Sequence, residues 1–188
     1  MNQAELNNMW QYYLSIERDL SETSRYIEPE GQEDVHSFEF ARILVLTCTE
    51  IESVFKQLGQ IGSGRKPGNM EDYKAQTLKM YPRIVDASVF IGRWNRQIQP
   101  FKGWDCGSLP WWKAYNSIKH DRGENFSQAT YKNAAYSVGA LYLLLAYLAS
   151  ATKMKLDIYE ATYISSNYAP EFFLDRAPEP LPGTNEYL

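Results

Sequence analysis

Cysteine and histidine are both scarce: the chain has two of each among 188 residues. Cys48 and Cys106 lie far apart with no CxxC pair, which leaves no spacing for a disulfide framework or a cysteine zinc site. Two histidines without clustered carboxylates fit zinc poorly, so no metal is expected. No cofactor is expected either. The glycines of "GSGRKPG" at 62–68 lack GK[ST] and follow no strand, which excludes a P-loop. Basic charge is not in excess: 19 Lys and Arg against 23 Asp and Glu leave a net −4, which speaks against general coating of nucleic acid. The start, "MNQAELNNMW", has neither a basic nor an apolar leader region, so no signal peptide is expected. With so few cysteines, the expected location is a reducing cytoplasm.

Aromatic side chains, in contrast, are abundant. Fourteen tyrosines, eight phenylalanines and five tryptophans make up 14% of the chain, enough for a core and for interfaces or stacking on flat ligands. The uncharged run "AAYSVGALYLLLAYLASA" at 134–151 is long enough to span a bilayer. It contains Ser137, Gly139, Ser150 and three tyrosines, and its aliphatics keep helical spacing, so it reads as a buried helix.

Three apolar stripes predict three long helices. Leu6, Met9, Tyr13, Ile16, Leu20 and Ile27 form the first, with a break at Thr23. Ala41, Leu44, Cys48, Ile51, Phe55 and Leu58 form the second, and Tyr131, Ala134, Val138, Leu141, Leu145 and Leu148 the last. Each stripe needs a partner, and "EPEGQED" at 28–34 is short enough to make the first two helices antiparallel neighbours. The expected fold class is all-α: a four- to five-helix bundle with a small irregular or β-hairpin insertion. Its boundaries are 1–153 for the bundle, 62–108 for the insertion and 154–188 for a C-terminal arm or tail. Within the insertion, Asn69 is expected to cap a short helix, and 84–101 reads as a hairpin or irregular segment with Gly92 near its centre. Ser108 is expected to cap a helix with Pro110 in its first turn, "DRGEN" to break it, and Asn125 or Ser127 to cap the next.

The chemistry-bearing residues cluster in "YNSIKHDR" at 115–122. On a helix over 110–120, Trp112, Asn116 and His120 share one face. Tyr115, Lys119 and, if the turn continues, Arg122 lie along the next. An imidazole titrating near neutrality moves protons, and the cations hold phosphate oxygens. The competing reading is a charged helix end in water with its tryptophans in the core. Elsewhere, His36 reads as a surface or capping residue. Glu50 and Glu52 point about 200° apart on a helix and do not form a shared acid–base pair. Arg93 and Arg96 around Trp94 form either a basic patch for stacking on RNA bases or the plain cover of a hairpin.

"YNSIKH" resembles the signature of HEPN domains, helical bundles found in RNA-cleaving toxins, antiphage systems and nucleotidyltransferase partners. Their motif is an arginine, a polar residue and then a histidine a few positions on. Asn116 and His120 fit it, and Tyr115 stands in the arginine's place. "EIESVFKQL" at 50–58 is similar to the family's second helix, with Glu52 and Lys56 four apart. The resemblance implies a homodimer that joins two motifs and cleaves RNA without metal. It makes His120 the general acid or base, with Asn116 orienting it and a cation stabilising the phosphorane. A tyrosine has no fixed positive fork, so that cation would be Lys119 or Arg122. The implied function is RNA binding or metal-independent ribonuclease action of toxin or phage-defence type, with an antitoxin or another protein as a further partner. The alternative is a non-catalytic bundle that binds a protein or nucleotide through the same residues.

Overall fold

Each apolar stripe becomes a helix whose ends are set by local chemistry, in a computed structural model that describes residues 1–156 and 163–165. Helix α1 (Gln3–Thr23) opens on a reciprocal capping box: Asn2 Oδ1 accepts the Glu5 amide at 3.0 Å, and the Glu5 carboxylate accepts the Asn2 amide at 2.8 Å. It stops at the break in its stripe, before Ile27 is reached. Ser37 caps α2 (Phe38–Ser63), which ends at Gly64 in the left-handed region, φ 69°, where a side chain would be strained. The last long helix, α6 (Tyr131–Ala151), is capped by Thr130, whose Oγ1 accepts the Asn133 amide at 3.1 Å.

That cap corrects the expectation of Asn125 or Ser127. The segment after "DR" forms a one-turn helix, α5 (Arg122–Asn125), and a 3-10 turn (Phe126–Gln128) before α6 begins. Thr130→Ala is expected to cost about 1 kcal/mol. A lowered midpoint in urea unfolding checks this, and an unchanged midpoint would speak against the cap.

Helices α2 and α6 start side by side: the Ser37 amide donates to Ala129 O at 3.2 Å, and the Tyr131 amide to Val35 O at 3.0 Å. Helix α1 runs the other way. Its Gln3 side chain bonds Lys155 O beyond the end of α6, while Trp10 and Tyr13 pack on Tyr142 further in. α6 is therefore walled on most sides. It is long and apolar enough to cross a membrane, and 83% of its apolar window is buried inside the fold.

The middle of the chain joins the same core. Asn69 caps α3 (Met70–Met80) as expected, and Tyr73 of that helix stacks on Phe55 of α2 at 5.0 Å. The hairpin is present: β1 (Val89–Ile91) pairs antiparallel with β2 (Arg96–Ile98), and Asn95 adopts a left-handed φ of 48° in the turn. Gly139 lets this sheet press on α6, since a Cβ there would meet Val89 Cγ2 at 2.9 Å. Phe101 and Trp104 follow the hairpin into the interior, where Trp104 meets Phe55.

Helix α4 (Pro110–His120) comes next, with Pro110 in its first turn. Ser108 does not cap it. Leu109 occupies the cap position, and no side chain among the described residues closes the helix start.

A third strand, β3 (Ile164–Ser165), adds to the other edge of β1, giving a sheet ordered β2-β1-β3. Hydrophobic patterning gave no sign of it, because only two residues pair. What holds it is polar. The Glu17 carboxylate of α1, 3% exposed, accepts the Tyr163 amide at 3.0 Å and the Ile164 amide at 2.8 Å. The Tyr163 hydroxyl also meets that of Tyr131 at 3.0 Å. The fold is mostly helical, with a small three-stranded antiparallel sheet. Of the arm expected over 154–188, residues 157–162 and 166–188 lie outside the described residues.

Candidate functional site

Helix α4 buries a broad face, with Trp111, Trp112, Ala114, Tyr115 and Ile118 all in the core. Lys113, Lys119 and His120 are exposed, and Asn116 is half-buried. The helix ends at His120 because Asp121 takes an extended conformation, φ −148°, and turns its carboxylate to cap α5 through the Glu124 amide. The six residues singled out from the sequence therefore fall into three places.

Trp112 and Tyr115 face inward, with their rings 5.1 Å apart. Trp112 is 6% exposed and Tyr115 2%, so both are walls of the core. The Tyr115 hydroxyl donates to Glu52 Oε1 at 3.1 Å and accepts from Lys119 Nζ at 3.1 Å. Lys119 also lies 3.9 Å from the Glu52 carboxylate and 5.1 Å above the Tyr115 ring. Burial raises the Tyr115 pKa, the Lys119 hydrogen bond opposes that, and Glu52 adds to it. The phenol thus stays neutral at ordinary pH. Lys119 is held more firmly protonated, chiefly by its bond to Tyr115. Together they form a closed relay, Lys119 cation to phenol to Glu52 carboxylate.

Asn116 and His120 stay on the solvent side, one helical turn apart. Among the described residues, no hydrogen bond or ion pair engages the His120 imidazole. Arg122 does not continue the α4 face. The break at Asp121 sends it toward the start of α2, where its guanidinium lies 5.9 Å above the ring of Phe38. Phe38 is 71% exposed and packs on Phe126, which in turn meets the His36 ring edge-on at 5.3 Å. His36 is thus a surface residue at the entry to α2. The N-cap itself is Ser37.

Glu52 was outside the set drawn from "YNSIKHDR". The signal for it lay in the second stretch, "EIESVFKQL", where it was paired by spacing with Lys56. The cation actually beside it is Lys119. The two stretches thus meet through Glu52 and Tyr115. Cys48, one turn earlier on α2, is buried, and burial with the nearby Glu52 pushes its thiol up, which leaves it inert. Glu50 is half-buried, and burial raises its carboxyl above the usual carboxylate range.

The arginine–tryptophan cluster of the hairpin is a clasp rather than a stacking surface. Trp94 is buried against Tyr131, while Arg93 pairs with Glu28 at 2.9 Å and Arg96 with Glu33 at 3.1 Å. Arg96 also covers Trp94 at 5.1 Å. Both acids lie in the loop between α1 and α2, so the cluster ties the hairpin to that loop. Among the described residues, no three His, Cys, Asp or Glu side chains converge to hold a metal. Comparison of the chain with known families, with curated proteins and with solved structures finds no match.

Proposed function

We propose that the chain is a HEPN-like RNA-binding protein, and that two copies bring their His120 side chains together to cleave RNA without a metal. The observation that carries this reading is His120 itself: exposed, unpaired among the described residues, and one turn from Asn116 on the same face. Contact between the two family-like stretches through Glu52 and Tyr115 supports it.

In the proposed step, one His120 takes the proton of a ribose 2′-OH as that oxygen attacks the adjacent phosphorus. The other returns a proton to the departing 5′-oxygen. The products are a 2′,3′-cyclic phosphate and a free 5′-hydroxyl. Of the two cations that could stand in for the missing arginine, Arg122 has the less engaged charge. Lys119 shares its charge with Glu52 and Tyr115, whereas Arg122 rests on an exposed aromatic ring with no carboxylate paired to it among the described residues.

Arg122→Ala is expected to weaken binding of single-stranded RNA and to lower the salt slope by about 0.7, the value for one lost phosphate contact. Fluorescence anisotropy across a salt series checks both. An unchanged slope removes Arg122 from the site. The second reading is a non-catalytic bundle that binds a protein partner, and the burial of Tyr115 in its closed relay favours it. The two part on RNA, which the second leaves uncut.

A further inference from the structure

Away from α4's His120 end, the start of the same helix borders a cleft of about 400 Å³, open to solvent on one side. Its walls come from β2 and the segment after it, the start of α4, and the first turns of α6. The indole of Trp111 makes the floor rigid, donating from Nε1 to Pro100 O at 2.8 Å. Among the described residues no carboxylate lines it, although the chain as a whole is acidic.

Three cations do. Arg96 is partly neutralised by Glu33, but Lys102 and Lys132 are exposed and have no ion-pair partner among the described residues. The rim also carries the open start of α4. Pro110 has no amide hydrogen, Leu109 offers no capping side chain, and the first backbone bond is Lys113 N to Leu109 O at 3.0 Å. The amides of Trp111 and Trp112 therefore have no acceptor among the described residues, and the positive end of the helix is uncompensated. The start of α6 differs: its first amides are taken by Val35 O, Glu33 O and Thr130 Oγ1.

The neutral side chains of the cleft are arranged as acceptors. Gln99 donates its amide nitrogen to Asp86 O at 3.1 Å, Asn133 donates to Gln128 O at 2.9 Å, and Gln97 donates to Ser88. Their three amide oxygens are left without a donor among the described residues. Beside them stands the half-buried ring of Tyr136.

We propose that this cleft binds a nucleoside phosphate. The phosphate lies against Lys102, Lys132 and the open start of α4, and the amino group of the base donates to the amide oxygens. The volume is within the ordinary range for small-molecule sites. Cations without competing acids account for the phosphate, and fixed acceptors for a base. Lys102 and Lys132 are outside the His120 surface, so this site stands or falls separately from RNA cleavage.

The test is calorimetric titration of the full chain with AMP and, separately, with inorganic phosphate. The expected result is saturable AMP binding at one site per chain, tighter than phosphate. It weakens by roughly 10-fold or more in Lys102→Ala/Lys132→Ala and holds in His120→Ala and Lys113→Ala. Failure of millimolar AMP to bind overturns the proposal, as does equal binding by the double variant. Phosphate binding as tightly as AMP overturns the assignment of a nucleoside. Loss of AMP binding in His120→Ala would place the ligand at the other end of α4 and overturn the cleft.

Discussion

Glu17→Ala is expected to destabilise the protein by about 3 kcal/mol and to release β3 from the sheet. The carboxylate is almost fully buried and accepts two backbone amides from a segment 146 residues away in the chain. Hydrogen bonds to a charged acceptor are worth about 1.5–3 kcal/mol each, and removing the acceptor strands two buried donors. Glu17→Gln keeps an oxygen at the same reach and is expected to cost about 1 kcal/mol. Urea unfolding measures both, and amide exchange at Tyr163 and Ile164 reads the strand directly. Loss of less than about 0.5 kcal/mol in the alanine variant, with both amides still protected, would show that β3 is held by its ladder alone.

His120→Ala is expected to lower RNA cleavage on the order of 100- to 10,000-fold, the range for a positioned general acid or base. The side chain sits exposed at the end of α4, so folding and midpoint should stay at the wild-type level. That separation makes the variant informative. Asn116→Ala is its companion. In the proposed step Asn116 orients rather than reacts, so its loss is expected to leave cleavage measurable and to reduce it less than loss of the imidazole does.

The helical frame was legible because its signal is periodic. The stripes through Leu44, Cys48 and Ile51, and through Val138, Leu141 and Leu145, bury the residues they name. Asn69 was legible as a cap because capping is local. Ser108 was not, because the chain turns one residue later, at Leu109.

The site was legible only in part. Spacing placed Asn116 and His120 together correctly, since four residues make one turn. Arg122 would have joined that surface only if the turn continued, and Asp121's extended backbone breaks the helix and sends it elsewhere. Trp112 and Tyr115 share the helix with His120, yet face inward, because α4 packs against both α2 and α6 and buries a wide arc. Periodicity on a short helix does not say how wide that arc is. Glu17 sits beside Ile16 on the stripe of α1 and reads as a flank residue. Its partners arrive from the far end of the chain, beyond the reach of any local pattern. The cationic cleft was invisible for the same reason, being assembled from three separate segments.

The most direct test of the proposed function is the cleavage of labelled single-stranded RNA in the presence of a chelator, followed as a function of protein concentration. The expected result is cleavage that rises more steeply than linearly at low concentration, yields 2′,3′-cyclic phosphate ends, and disappears in His120→Ala. RNA left intact by wild-type protein at every concentration, or cut equally by His120→Ala, would contradict it.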